Sequence, residues 1–176
     1  MKNTVLTFGI YSVLLAAILF STVLYSGFAL AFKTHGIIGY ATMVVSLLYV
    51  YFGIKHYKDH ELNDALDFKT AFKVGAVISI FTAITFGTID AIYITYNNPD
   101  FIAQYLAYEY GLLDAQTDIS PEELYYEKLS ILKQSEAFKN PIMIFFVTTM
   151  MVFVIGAVMS ILSALLLRDK HNESID

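Results

Sequence analysis

Long apolar runs, rather than alternating polar and apolar positions, dominate this chain. No charged side chain falls between Lys2 and Lys33, and three further runs occupy 36–54, 74–96 and 142–167. An α-helix needs roughly 20 apolar residues to cross a hydrocarbon core. Each run reaches about that length, which predicts four membrane-spanning helices at 4–32, 36–54, 74–96 and 142–167. Ala29-Leu30-Ala31 has the small-x-small look of a cleavage site. The run is far longer than the about 7–15 residues of a signal-peptide core, so it reads as the first helix. Lys33-Thr34-His35 is then a short link that makes the first two helices a tight hairpin.

The pattern changes over 97–140. Asn98-Pro99 reads as an N-cap followed by proline at the first helical position. Phe101, Tyr105, Tyr108 and Leu112 form one stripe behind it, with Gly111 and the polar stretch 114–118 as its end. Ser120-Pro121-Glu122-Glu123 is a capping box with its carboxylates at the positive end of the helix dipole. Leu124, Tyr125, Leu129, Leu132 and Phe138 follow at roughly helical spacing, and Asn140-Pro141 starts the last span. The expected fold is therefore all-α: a single integral membrane domain, 1–176, built as a four-helix bundle with two extracytoplasmic amphipathic helices between spans three and four. Those two helices are expected to pack on each other or on a partner.

Composition agrees. The chain is 57% hydrophobic and 15% charged, where soluble domains carry about 25% charged residues, and its mean hydropathy is +0.59. With no cysteine, disulfides and thiolate metal sites are excluded. A net charge of −5 argues against nucleic-acid binding, which needs a clustered basic face. Lys2, Lys55, Lys58, Lys69, Lys73, Arg168 and Lys170 share one face of a four-span topology, against Lys33, Lys128, Lys133 and Lys139 on the other. Positive charge near helix ends marks the cytoplasm, which puts both termini inside and 97–140 outside.

Two features carry candidate function. Gly75, Ser79, Ala83, Gly87 and Ala91 recur every four residues through the third span, and Gly156, Ser160 and Ala164 repeat the device in the fourth. Small residues let helix backbones approach closely in lipid. The ladder is a packing seam, either between spans three and four or between copies of the chain. Asp90 is the one ionisable side chain well inside a span. A buried acid there must face protein or water, and its charged form needs a partner; Lys33 and His35 are the nearby cationic candidates. It is either a proton- or cation-handling carboxylate or an acid satisfied by Thr88, Tyr93 or water. His56 and His60 are four apart, but Tyr57 stands where a zinc protease needs its glutamate, so they read as solvated juxtamembrane histidines. No nucleophile elbow, P-loop or dinucleotide glycine pattern occurs, and neither catalytic nor metal nor cofactor residues are expected.

Five stretches carry a resemblance to a known family: His35 to Met43, Gly53 to Asp59, Phe68 to Gly75, Pro99-Asp100-Phe101, and Gly156 to Leu165. Together they resemble the bacterial membrane family catalogued as domain of unknown function 4199. The resemblance implies a four-span bacterial inner-membrane protein and supplies no activity, cofactor or catalytic residue. Two functions stay open. One is a non-enzymatic accessory or scaffold protein acting through helix association, with the lipid bilayer and a homo-oligomer or membrane-complex partner around it. The other is a small oligomeric proton- or ion-coupled transporter using Asp90.

Overall fold

The structure, a computed structural model, describes residues 1–25, 32–62 and 65–168. It is all-α, with no strand among the described residues. The elements are α1 (Lys2–Tyr25), α2 (Phe32–Glu61), α3 (Phe68–Ile92), α4 (Phe101–Asp114), α5 (Pro121–Glu136) and α6 (Pro141–Leu167). A π-helical turn, Tyr93–Asn97, extends α3, and a short 3-10 turn, Ala137–Lys139, joins α5 to α6. Four helices are long and apolar enough to cross a membrane, as expected for a membrane protein: Lys2–Tyr25, Phe32–Glu61, Phe68–Asn97 and Pro141–Leu167.

Helix α3 is the centre of the bundle and packs against α1, α2 and α6. Its residues Ala71, Val74, Ile78 and Phe86 are fully buried among Leu47, Val50 and Ile54 of α2, Val152 of α6 and Ala16 of α1. The rings of Phe20 and Phe86 meet with centroids 4.7 Å apart. Hydroxyls tie the same helices together: Ser12 donates to the Ser46 carbonyl at 3.0 Å and also meets Thr82. Such bonds hold helices where no water competes, each contributing about 0.6 kcal/mol in double-mutant measurements. Large apolar side chains such as Ile18, Leu14 and Val154 point outward, an arrangement that suits a hydrocarbon solvent.

The expected span limits mark apolar runs, and α2 and α3 overrun them. Helix α2 takes in Lys33-Thr34-His35, which lie in its first turns and not in a link. Nothing in that tripeptide breaks a helix, and Phe32 anchors the start by packing on Phe101, Tyr105 and Tyr108 with centroids 5.4, 6.2 and 5.5 Å away. At its other end α2 continues to Glu61, where Thr4 donates to the carboxylate, and Lys58 Nζ donates to the Leu167 carbonyl at 2.9 Å. Helix α3 starts at Phe68, earlier than its apolar run, because Asp67 caps it by accepting the Thr70 amide at 2.5 Å. This capping bond, backbone first, also holds the Asp67 carboxyl below its ordinary range. Helix α1 is described as far as Tyr25; the expected continuation of its span over 26–31, with the candidate cleavage site at 29–31, lies outside the described residues, as does Lys170.

Between spans three and four, Asn98-Pro99 is a turn and not a helix start. Helix α4 begins after Asp100, and the Asn98 and Gln104 side-chain amides bond each other in both directions at 3.2 Å. Gly111 lies inside α4, and of the expected stripe Leu112 is exposed while Leu113 is buried. The capping box is present, with the Glu123 amide donating to Ser120 Oγ at 3.2 Å. Helices α4 and α5 pack on each other: Tyr110 Oη donates to the Lys128 carbonyl at 3.2 Å, and Lys128 Nζ pairs with Asp114 at 2.6 Å. Asn140 caps α6 through the Ile142 amide at 2.9 Å.

Candidate functional site: a chamber around Asp90

The small-residue ladder resolves into the α3–α6 interface. Gly75, Ser79, Ala83, Gly87, Gly156, Ser160 and Ala164 are all buried there, and Ala91 is half-buried. A Cβ added at Gly75 would sit 2.7 Å from Ser160 Oγ, and one at Gly156 would sit 2.5 Å from the Ser79 Cβ. At Gly87 it would meet Thr149 and, at 2.7 Å, the Phe145 carbonyl oxygen. These glycines let two backbones touch within one chain.

Asp90 lies on α3 just beyond Gly87, still in contact with α6. Its carboxylate accepts the Thr148 hydroxyl at 2.6 Å. Neither Thr88 nor Tyr93, the expected partners, holds it: Thr88 donates back to the Ile84 carbonyl at 2.8 Å. The carboxylate lines a cavity of about 440 Å³ framed by α1, α2, α3, α4 and α6. His35 lines the same cavity from α2, with Nε2 at 3.2 Å from the Val23 carbonyl. Lys33 is not among the lining residues. Phe20, Phe32, Tyr40, Tyr93 and Phe101 supply aromatic walls, and Gln104 closes the α4 side.

Two glycines make room for the chamber. A Cβ at Gly36 or Gly39 would meet nothing within 4 Å among the described residues, the reverse of the seam glycines. The π turn shapes the α3 side: Tyr25 packs edge-on against Tyr93 with centroids 5.4 Å apart and donates to Asn97 at 3.1 Å. Sequence reasoning found Asp90, His35 and Tyr93 but missed Thr148, Gln104 and the other aromatic walls. Only the Gly36-x-x-Gly39 spacing on α2 hinted at them.

Away from the chamber, the His56 and His60 rings stack with centroids 4.4 Å apart, and the His56 ring packs on Phe8 at 5.3 Å. His56 is therefore a half-buried part of the α1–α2 contact, while His60 is exposed as expected. No group of three metal-ligating side chains occurs among the described residues.

A family profile described as "Protein of unknown function (DUF4199)" matches residues 7–169. No curated protein and no solved structure matches the chain.

Proposed function

The chain belongs to the DUF4199 family, and since that membership brings no activity with it, we propose a function from the chamber: a non-enzymatic membrane protein that admits a small solute to Asp90 and couples its passage to a proton or cation. The observation that carries this reading is a carboxylate whose one hydrogen-bond partner among the described residues is the Thr148 hydroxyl, on the wall of a 440 Å³ cavity among apolar helices. An acid in lipid is costly unless it does chemistry or finds a counter-charge. Helix association loses its main support in this reading, because the small residues that motivated it are occupied within the chain.

We place the protein in a bacterial inner membrane, with both termini in the cytoplasm. Lys2, Lys55, Lys58, Lys69, Lys73 and Arg168 gather where α1 starts, α2 ends, α3 starts and α6 ends, which supports this orientation. The chamber then lies in the outer half. A chain without cysteine makes the test clean: Gly39→Cys sets one thiol in open space on the chamber wall. Labelling by a small neutral methanethiosulfonate added outside is the expected result. A thiol inert in membranes would sink the chamber as a solute site, and proteoliposome flux that survives Asp90→Asn would remove Asp90 from the coupling.

A second reading, an accessory subunit or homo-oligomer, is favoured by the exposed aromatic rings of Tyr96, Tyr125 and Tyr126 outside the core of the bundle. Crosslinking through Tyr126→Cys in native membranes tests it, with a stoichiometric partner or a second copy as the supporting result.

A further inference from the structure

We infer that the chamber takes an organic ammonium ion, an amine on a small apolar or aromatic body, with its charge on the Asp90 carboxylate. This deepens the solute-site reading above and rests on it.

The lining decides the sign and the type of ligand. Asp90 is its one acid, and no lysine or arginine stands among the described lining residues. The His35 imidazole has Nε2 at 3.2 Å from the Val23 carbonyl. An anion would face the Asp90 carboxylate with no lysine or arginine among the described lining residues to offset it. A neutral polar solute would find the two amides of the lining engaged, since Asn98 and Gln104 bond each other in both directions, and would be left with hydroxyls. A hard inorganic cation such as calcium needs about six oxygen ligands, and beside Asp90 and Thr148 the lining offers only the Tyr40 and Tyr93 hydroxyls and the Asn98 and Gln104 amides, which bond each other. An ammonium group on an apolar body meets none of these obstacles. Thr148 bonds Asp90 Oδ2, and Oδ1 has no such bond among the described residues. Ring faces attract cations within about 6 Å of their centroids, which suits Phe20, Phe32, Tyr40, Tyr93 and Phe101 to the rest of the molecule. The cavity volume falls in the range of about 300–1,000 Å³ typical of small-molecule pockets.

The Gly39→Cys thiol reports occupancy. The full chain in nanodiscs of zwitterionic lipid is labelled with methyl methanethiosulfonate in the presence of 2-phenylethylamine, 2-phenylethanol or phenylacetate, and the modified fraction is read by mass spectrometry. These three probes share a ring and differ in charge. A charge-assisted hydrogen bond in place of a neutral one should make the amine protect at a concentration about tenfold lower than the alcohol. Phenylacetate should not protect. Asp90→Asn keeps an oxygen for Thr148, so the thiol should label as before while the amine's advantage disappears. Equal protection by amine and alcohol, protection by phenylacetate, or protection by none would overturn the ammonium proposal and leave the chamber reading intact. A thiol that fails to label without ligand would overturn both.

Discussion

The two classes of glycine give a prediction in which the main uncertainty cancels. Gly39→Ala and Gly87→Ala make the same chemical change inside helices of the same bundle. Each gains about 0.5–1 kcal/mol from the lost backbone freedom of glycine. At Gly39 nothing stands within 4 Å of the new methyl group, so the gain is kept. At Gly87 the methyl group would lie 2.7 Å from the Phe145 carbonyl oxygen. An ordinary carbon–oxygen contact is about 3.3 Å, so α6 must retreat by about 0.6 Å along its tightest interface. Overpacking of this kind costs about 1–3 kcal/mol. Gly39→Ala should therefore stabilise slightly, while Gly87→Ala destabilises by about 1–2 kcal/mol. The gap between them is the packing term itself, whatever glycine's penalty is in lipid. Reversible unfolding in mixed micelles, titrated with dodecyl sulfate and followed by far-ultraviolet circular dichroism, measures it. Equal shifts for the two variants would refute the assignment of Gly87 to a closed seam and of Gly39 to an open wall.

Three further outcomes follow from the same contacts. Ser160→Ala should cost only about 0.5 kcal/mol in that unfolding assay, since Ser79 and Ser160 each donate to their own helix, at 2.9 and 2.7 Å, and stand 3.4 Å apart; a loss several times larger would make the pair a true interhelical bond. Phe32→Ala should cost about 2 kcal/mol, less than a fully buried ring, and speed hydrogen exchange in α4 specifically, because Phe32 is what α4 packs on through three rings; unchanged exchange over 101–114 would dissociate α4 from α2. The Asp67 carboxyl titrates lower in the folded chain than in the unfolded one, so its stabilisation is present above the ordinary carboxylate pKa of about 3.9 and lost as pH falls through the folded value. The unfolding midpoints of the native chain and Asp67→Ala should accordingly differ near neutrality and converge as the pH falls below the lowered folded value, and a constant difference would assign the effect to something other than the charged cap.

Much of the fold was legible because lipid imposes a simple rule on a sequence. Apolar runs reported the four spans, and the local chemistry of Ser120-Pro121-Glu122-Glu123 and Asn140-Pro141 reported two helix starts. Helix ends were misjudged where a helix leaves the hydrocarbon but keeps a partner. Lys33 to His35 continue α2 because Phe32 packs on α4, and Asp67 starts α3 ahead of its apolar run. Hydropathy says nothing about either. The same limit applies to the chamber. Asp90 stood out as a lone acid, but Thr148 is 58 residues away in sequence and could be paired with it only by the α3–α6 register. One pattern, glycine every few residues, carried two opposite meanings that only the neighbouring backbone separates.

That separation explains why a bundle this small holds a cavity at all. At the end where α1 starts, cross-links are dense: Thr4 reaches Glu61, Lys58 reaches the last carbonyl of α6, and Ser12 bridges α1, α2 and α3. The α3–α6 seam closes the middle through Gly75 against Ser160 and Gly156 against Ser79. Toward α4 the device reverses. Aromatic rings stand between the helices, Gly36 and Gly39 withhold side chains, and the π turn carries Tyr93 onto the chamber wall. Interiors otherwise pack like organic crystals, so an open volume beside a carboxylate has to be held open by such a frame. Binding without passage leaves that frame in place, and an amine that protects the Gly39→Cys thiol should leave hydrogen exchange around Ser79 and Ser160 unchanged. Loosening of the seam on binding would mean that the whole bundle moves, and that the chamber is one state of a larger conformational cycle.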